Sequence, residues 1–476
     1  MLRILLSIWR LVLPFLLLMA GWGVLVNELL DRVGLSRPFL NTPERTILVG
    51  TLLVGLFFIG VILSYNLAAA MYRGLRGSPQ VTVHDPQTPQ TGVISHINYR
   101  RVGLILAGGG AKGAYQAGAM RAIWEFLEAR GALDRVCMVA GTSIGAWNAL
   151  FWLAGLVRPP PGGEYSAQES WWRAIKPERI LDFDWYFPLV RNHLGRAKPW
   201  HEVFRKLFVQ YQPVRQRLID LLAARPDARS TRGTHTPALR FYLTRSNVKR
   251  AALEFTTNSW AVADLKRLDP RTGTMKPVVD PLFYQVLDGS NPDGALQELE
   301  TAVFASMDIP PLFPFVKIRD AISREDEWFE DGGVIENLPM IFGTQIEACD
   351  LLFVLPLNAT FDAAVNHHSM LARLARVMES RQGVIERNAF KQAHLYNVLD
   401  DRTERSPVSV FAICPAEPLA IGTIDFHKPT EAGQAYRLMY EATAKELTRS
   451  FDSLRPDWIR LATVGPKGEP GEIEEL

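Results

Sequence analysis

The sequence predicts an α/β fold with a mainly parallel central sheet, preceded by a pair of membrane-spanning helices. Two observations support this prediction. Short apolar runs alternate with helical patterns from residue 101 onward, an order typical of a parallel sheet with helices on both faces. The first 76 residues instead hold two long apolar stretches with arginines at their outer ends.

The two apolar stretches cover residues 11–26 and 47–70. The second is long enough to cross about 30 Å of hydrocarbon as a helix. A cleaved signal peptide is an alternative for the first stretch, and a buried helical hairpin is an alternative for both. Trp22 and the presence of a second stretch favour retention in the membrane, so residues 1–76 are expected to form an anchor of two transmembrane helices.

Basic residues orient the predicted hairpin. Arg3 and Arg10 precede the first stretch, and Arg73 and Arg76 follow the second. The connecting residues 27–46 carry equal numbers of acidic and basic side chains. Because basic flanks stay in the cytoplasm, we expect an integral membrane protein of a bacterial inner membrane, with both termini and the α/β domain on the cytoplasmic side.

The amino-acid composition predicts the remaining domain boundaries. Residues 77–100 contain several prolines and polar residues and are expected to form a loose linker. The α/β domain is expected over residues 101–455. Residues 456–476 are expected to be a C-terminal tail, disordered after Pro466 because it is acidic and rich in glycine.

Within the α/β domain, apolar runs predict strands and 3.6-residue periodicity predicts helices. The predicted strands cover residues 102–106, 136–140, 351–355 and 408–413. The predicted helices cover residues 113–129, 146–154 and 370–391, and a last one follows Thr430.

A glycine run, G-G-G-A-K-G at residues 108–113, lies between the first predicted strand and helix. Successive glycines let backbone N–H groups converge on a phosphate or an oxyanion. A Walker loop requires Lys-Ser or Lys-Thr after its last glycine, whereas alanine follows Gly113. A dinucleotide fingerprint fits the glycine spacing, but the next strand ends in residues 141–143 instead of the required acid. An oxyanion loop is therefore favoured.

The next strand ends in G-T-S-I-G, residues 141–145. A sharp turn between strand and helix holds the central Ser143 in a strained conformation with its hydroxyl exposed, which suits a nucleophile. Gly141 and Gly145 remove side chains that would collide across the turn. The alternative is a turn of small residues that merely joins strand to helix.

These motifs, together with Asp331-Gly332-Gly333 and the segment 304–314, resemble the patatin-like phospholipase family. The resemblance runs from about Arg101 to about Phe451. It implies a three-layer α/β sandwich and an acyl hydrolase that uses a serine–aspartate dyad and no cofactor. The implied catalytic residues are Ser143 and Asp331. The implied oxyanion donors are Gly108, Gly109, Gly110 and Ala111. The implied supporting residues are Lys112, Gly113, Gly141, Gly145, Gly332 and Gly333.

Other residues compete for the role of base. Glu330 and Glu336 are the nearest rival acids to Asp331, and an ordinary Asp-Gly turn is the alternative for Asp331 itself. His394 and His427 follow Asp331 at a distance that a Ser-Asp-His triad would allow. The resemblance requires no histidine, so the dyad is favoured.

The amino-acid composition restricts the classes of molecule that the protein is expected to bind. A formal net charge of +2 gives no sign of nucleic-acid binding. The three cysteines are an odd number in apolar settings, which favours a reducing compartment. No paired Cys/His spacing or H-E-x-x-H motif predicts a metal site. The expected partners are a membrane lipid substrate and the bilayer, and the oligomeric state stays open.

Residues 158–236 begin with a Pro-Gly cluster and carry many tryptophans and arginines. They predict either a cap that forms an acyl pocket or touches the membrane, or a helical insertion with its own aromatic core. The expected function of the whole chain is membrane-anchored hydrolysis of acyl esters in phospholipids or related lipids. Acyl transfer on the same dyad and a catalytically silent membrane scaffold are the alternatives.

Overall fold

The computed structural model divides the chain into two compact units, Met1–Gln80 and Val81–Leu476. The structure describes residues 55, 58–61, 64, 81, 83–86, 97–183, 193, 195–223, 239–268, 274–277, 279–287, 289–310, 312–319, 325–358, 370–400, 407–417 and 419–475.

The predicted transmembrane hairpin lies in the first unit, almost wholly outside the described residues. The few positions that are described, between residues 55 and 64, are helical. Among all residues that the structure describes, no helix combines the length and the apolar character that a membrane crossing requires.

The second unit is built on an eleven-stranded mixed sheet whose main path has the order β10-β11-β5-β2-β1-β12-β13-β14-β15. The six strands from β5 to β14 along this path are parallel, and antiparallel strands complete both edges. β6 continues from β5 and pairs with β9. The strands of this sheet are β1 (Val102–Leu106), β2 (Val136–Gly141), β5 (Arg240–Asn247), β6 (Ala252–Thr257), β9 (Tyr284–Val286), β10 (Val316–Arg319), β11 (Asp326–Asp331), β12 (Leu351–Leu355), β13 (Ser409–Pro415), β14 (Ile459–Val464) and β15 (Pro470–Glu475).

Two small antiparallel pairs stand apart from this sheet: β3 (Asp182–Phe183) with β4 (Gly195–Arg196), and β7 (Lys266–Leu268) with β8 (Met275–Pro277). The α-helices are α1 (Gly113–Ala129), α2 (Ile144–Leu153), α3 (Ala167–Arg173), α4 (Pro177–Ile180), α5 (Lys198–Phe204), α6 (Gln212–Ala223), α7 (Ala261–Asp264), α8 (Pro292–Met307), α9 (Met370–Asp400) and α10 (Pro429–Ser450). π-helical turns follow at Arg205–Gln210 and Phe342–Ile346.

The sheet has an apolar core on each face. Along β1, Leu104 and Leu106 join one core, which also contains side chains of α1, α2, α8 and α10. Ile105 points the other way into a second core, which is closed by α9. This alternation is what a buried strand imposes. The prediction of a mainly parallel α/β sheet with helices on both faces is therefore confirmed. The four predicted strands and four predicted helices are all present with small shifts at their ends, except that the helix predicted over residues 370–391 continues to Asp400.

The predicted disordered tail is wrong. β14 pairs in parallel with β13, and β15 pairs with β14 as an antiparallel edge strand. The guanidinium of Arg460 donates a hydrogen bond to the Glu475 carboxylate at 3.0 Å. The acidic residues that suggested disorder instead lie on an exposed sheet edge, where charge discourages pairing with other chains.

The expectation of a loose linker is wrong for residues 81 and 83–86. Val81 and Val83 pack against the main core. The His84 ring accepts a hydrogen bond from the Ala167 N–H at 3.2 Å, and the Tyr211 hydroxyl donates one to the Asp85 carboxylate at 2.8 Å. This segment is thus part of the second unit.

The described aromatics of the insertion 158–236 pack into the main core and not into one of their own. The Trp147 ring of α2 lies 5.1 Å from the Trp171 ring and 5.3 Å from the Trp200 ring, between centroids. Phe208 and Phe151 join the same cluster at 5.4 Å from each other. The described part of the insertion therefore supports the helix that begins at Ser143.

Candidate active site

Ser143 lies at the turn between β2 and α2, with φ of 54° and ψ of −126°. A side chain rarely adopts a positive φ without strain, so the surrounding structure must hold it there. A Cβ atom on Gly145 would come within 2.3 Å of the Leu106 carbonyl oxygen, and one on Gly141 within 2.5 Å of the Gly145 carbonyl oxygen. The close approach of three backbone segments explains both glycines of the motif.

Two hydroxyl groups hold this turn in place. The Ser143 N–H donates a hydrogen bond to the Ser306 Oγ at 2.9 Å. The Thr142 and Thr244 hydroxyls lie 2.7 Å apart and share a hydrogen bond. Ser306 belongs to the segment 304–314, one of the sequence motifs of the predicted site, and its hydrogen bond gives that segment a physical role beside the turn.

Asp331 ends β11 and meets Ser143 from the neighbouring part of the sheet. Its carboxylate accepts a hydrogen bond from the Gly333 N–H at 2.7 Å, and the Ser143 hydroxyl lies close enough to lower its pKa. Its own N–H donates to the Asp308 carbonyl oxygen at 3.0 Å. Burial raises the pKa of the Asp331 carboxyl to about 7, and the nearby Ser143 hydroxyl and Gly333 N–H oppose that rise.

The raised pKa gives a prediction for the pH dependence of activity. A general base must be ionised, so kcat/KM should rise with pH through about 7 and then level off. Initial rates on p-nitrophenyl butyrate between about pH 5 and about pH 9 would measure this. A rate that is constant across this range would contradict Asp331 as the base.

The glycine loop presents two unused donors. Within the described residues, the N–H groups of Gly109 and Gly110 make no hydrogen bond. The other two predicted oxyanion donors are already engaged. The Gly108 N–H donates to the Asn337 Oδ1 at 3.1 Å, and the Ala111 N–H donates to the Thr423 carbonyl oxygen at 2.9 Å. Gly108 and Ala111 are therefore corrected from donors to supports of the loop.

The surroundings of Gly108 also explain why this position is a glycine. A Cβ atom there would lie 2.9 Å from the Ser143 Cβ and 2.6 Å from the Asn337 Oδ1. The loop thus passes directly beside Ser143. The Gly109 and Gly110 N–H groups therefore lie near the carbonyl group that the Ser143 hydroxyl would attack.

A polar network from α9 holds the loop from behind. Lys112 is buried, and its ammonium group pairs with the Glu379 carboxylate at 2.8 Å and donates to the Asn358 Oδ1 at 3.2 Å. Asn337 and Asn358 both donate to the buried Glu386 Oε1, at 2.6 and 2.9 Å. Lys112 therefore orients the loop, and its partners leave it poorly placed to bind a lipid phosphate.

Gly110 provides a test of the loop geometry. Its φ is +57°, and a Cβ atom would lie 2.1 Å from the Thr423 carbonyl oxygen. Gly110→Ala should therefore lower the free energy of unfolding by about 2 kcal/mol and sharply reduce ester hydrolysis. Gly162→Ala is the matched control, since Gly162 has φ of +75° but no atom within 4 Å of the added Cβ. Denaturant unfolding and initial rates would measure both variants, and equal behaviour would contradict the tight loop.

The rival bases lie elsewhere. The Glu336 carboxylate accepts the Leu338 N–H at 2.9 Å, and its pKa is raised to about 7 mainly by burial. Burial also raises the pKa of Glu330, whose carboxylate has no hydrogen bond to Ser143 among the described residues. His427 is half-exposed and lies 3.9 Å from Asp425, and His394 is on α9. Within the described chain, neither histidine bonds to Ser143 or Asp331.

The predicted supporting residues lie where the turns are tightest. Gly332 and Gly333 form the 3₁₀ turn after β11, and a Cβ on Gly332 would meet the Thr244 hydroxyl oxygen at 2.4 Å. Gly113 begins α1, where a Cβ would contact Ile144 at 2.5 Å. In the described parts of the chain, no cluster of three His, Cys, Asp or Glu side chains could hold a metal ion.

The family model for patatin-like phospholipases matches residues 104–341, which is half of the chain. The crystal structure of VipD from Legionella pneumophila is similar over 74% of this chain and 67% of that chain, with 14% sequence identity and a TM-score of 0.30. No curated protein matches. The matched residues include the glycine loop, the Ser143 turn and Asp331, and the chain belongs to the patatin-like phospholipase family, a family of lipid acyl hydrolases.

Proposed function

We propose that this protein is a membrane-anchored serine hydrolase that cleaves acyl esters of phospholipids or related lipids through a Ser143–Asp331 dyad. The observation that carries the proposal is the closeness of the Ser143 hydroxyl to the buried Asp331 carboxylate, whose pKa it lowers. Beside them, the N–H groups of Gly109 and Gly110 have no acceptor among the described residues. A nucleophile, a base and oxyanion donors in one place are what acyl transfer requires.

In the proposed reaction, Asp331 accepts the Ser143 hydroxyl proton while Oγ forms a bond to the ester carbonyl carbon. The carbonyl oxygen becomes negative and accepts hydrogen bonds from Gly109 and Gly110. The C–O bond to the alcohol then breaks, and the alcohol leaves with the proton from Asp331. Water repeats the sequence on the acyl-serine: Asp331 takes a proton from water, the fatty acid departs, and Ser143 regains its proton.

Asp331 is suited to both halves of this cycle. A carboxyl with a pKa of about 7 is a stronger base than one with the ordinary value of 3.8. It is also a competent acid once protonated, because proton transfer is most efficient when the pKa lies near the working pH. The burial that raises the pKa thus substitutes for the histidine of a triad.

The experiment uses purified protein with phospholipid and lysophospholipid vesicles, and it measures free fatty acid. Release of fatty acid that persists in EDTA supports hydrolysis with backbone donors. Transfer of the acyl group to an added alcohol, without free acid, would point to the acyltransferase alternative. No reaction with any ester would favour a silent scaffold.

The membrane anchor is proposed from the apolar stretches within residues 1–76 and their flanking arginines. An anchor keeps a lipid hydrolase near a substrate that does not diffuse through water. Reporter fusions at Gly77 and at the C-terminus should be active in the cytoplasm, whereas a fusion within residues 35–43 should be inactive there. A cytoplasmic signal from that loop would contradict the hairpin.

A further inference from the structure

A cavity of about 400 Å³ lies between α5 and the carboxyl end of α8. Its walls are largely apolar, and they include the buried side chains of Trp200, Phe304, Met307 and Phe313. Its rim carries the exposed Arg196, Lys198 and Arg205, together with one acidic residue, Glu202. A concave apolar site with a few polar groups is the usual form of a small-molecule site.

The wall of this cavity touches the dyad through three consecutive residues. Ser306 accepts the Ser143 N–H at 2.9 Å, and the Asp308 carbonyl oxygen accepts the Asp331 N–H at 3.0 Å. Met307 and Asp308 are among the residues that line the cavity. A molecule in the cavity would therefore lie against the same segment that positions the nucleophile and the base.

Asp308 is the unusual member of the lining. Its side chain is only 3% exposed, and within the described residues neither carboxyl oxygen has a close hydrogen-bond partner. A buried polar group without a partner is costly, so its persistence points to a ligand that supplies one. Burial, reinforced by the charge of Asp331, raises the pKa of this carboxyl to about 9, and a weak interaction with the Val316 backbone opposes the rise. At neutral pH the group is protonated and can both donate and accept a hydrogen bond.

The rim favours an anion. Lys198 is exposed and makes no ion pair among the described residues, and Arg205 pairs with Glu300 at 3.2 Å. Besides this pair, the rim carries two basic side chains, Arg196 and Lys198, against one acidic side chain, Glu202. Because Asp308 is neutral, it does not repel a negative group that enters between them.

We propose that this cavity binds the head group of the lipid substrate, with its phosphate against Lys198 and Arg196 and a glycerol hydroxyl on Asp308. The proposal rests on the proposed ester hydrolysis and adds to it the substrate class: lipids with an anionic, hydroxyl-bearing head group. The apolar walls would then accommodate the glycerol backbone and the first part of the acyl chain.

The test compares two lysophospholipids with the same lauroyl chain, one with a glycerol head group and one with a choline head group. The first is anionic, and the second carries a compensating cation that the basic rim disfavours. In the full-length parent protein, kcat/KM should be higher for the glycerol lipid. Lys198→Glu should lower the ratio of the two kcat/KM values about tenfold, because it reverses one charge at the rim. Lys445→Glu, the same change on an exposed residue of α10 outside the cavity, should leave the ratio at the parent value.

Asp308 is tested with a pair of substitutions of similar size. Asp308→Asn keeps a neutral group that donates and accepts, whereas Asp308→Leu removes both functions. Only the leucine variant should lose kcat/KM for the glycerol lipid, by about tenfold relative to its rate on p-nitrophenyl butyrate. An unchanged ratio in Lys198→Glu, or equal losses in both Asp308 variants, would overturn the head-group site while hydrolysis by the parent stands. If the parent cleaves no ester, the proposed function fails, and this inference fails with it.

Discussion

Alanine in place of Ser143 is expected to lower kcat/KM for ester hydrolysis by about 10⁴-fold or more, because no other group can form the acyl intermediate. The fold should persist. The change removes one hydroxyl, and the surrounding turn already holds a residue with a Cβ atom at the φ of 54°. Initial rates on p-nitrophenyl butyrate, together with a thermal unfolding curve, would measure both effects.

Ser170→Ala is a suitable control for this variant. Ser170 lies on α3, is half-buried and is remote in sequence from the site motifs. Its activity should match that of the parent protein. Residual activity in Ser143→Ala above about 1% of the parent would mean that another nucleophile carries the reaction.

Asparagine in place of Asp331 should lower the turnover rate by about 10³-fold or more. At alkaline pH the same change should raise the free energy of unfolding. The pKa of the Asp331 carboxyl is about 7 in the folded protein and exceeds the ordinary 3.8, so the folded protein binds the proton more tightly than the unfolded chain does. The stability that this proton contributes is present below about pH 4 and is lost as the pH rises to about 7. Asparagine stays neutral, so at pH 8 the variant should unfold at a higher temperature than the parent.

Lower activity together with higher stability would show that Asp331→Asn removes the base without unfolding the protein. Denaturant or thermal unfolding at about pH 8 and ester hydrolysis at the same pH are the two measurements. His394→Ala and His427→Ala should each keep most of the activity, since neither ring bonds to the dyad in the described chain. A histidine variant as inactive as Asp331→Asn would support a triad in place of the dyad.

The sequence predicts the central strands because they are buried on both faces and are therefore continuously apolar. β1 and β12 show this pattern, and both are buried along their whole length. β5 is equally buried but carries Arg240 and Arg245, so it has no apolar signature. Its charges are neutralised by residues on other elements: Arg240 lies 3.1 Å from Glu347, far along the chain, and Arg245 lies 3.6 Å from Glu254 on the adjacent strand β6. Pairings of this kind cannot be deduced from local composition.

In the candidate site, too, some residues can be predicted from the sequence and others cannot. The glycine loop and the Ser143 turn are predictable, because tight backbone geometry requires glycine at fixed spacing. The residues that support them are not, since they act from other elements. Ser306 lies in a segment that was noticed by resemblance alone, and Glu386 is one polar side chain among several on α9. A weak signal for the latter is the spacing of Glu379, Gln382 and Glu386, which places three polar groups on one helix face.

The central claim is that Asp331 activates Ser143, and covalent labelling tests it most directly. A fluorophosphonate probe reacts with an activated serine, and peptide mapping by mass spectrometry locates the adduct. We expect the adduct on Ser143 in the parent protein, with a labelling rate at least about 100-fold lower in Asp331→Asn. An adduct on another residue, or equal labelling rates in the two proteins, would contradict the dyad.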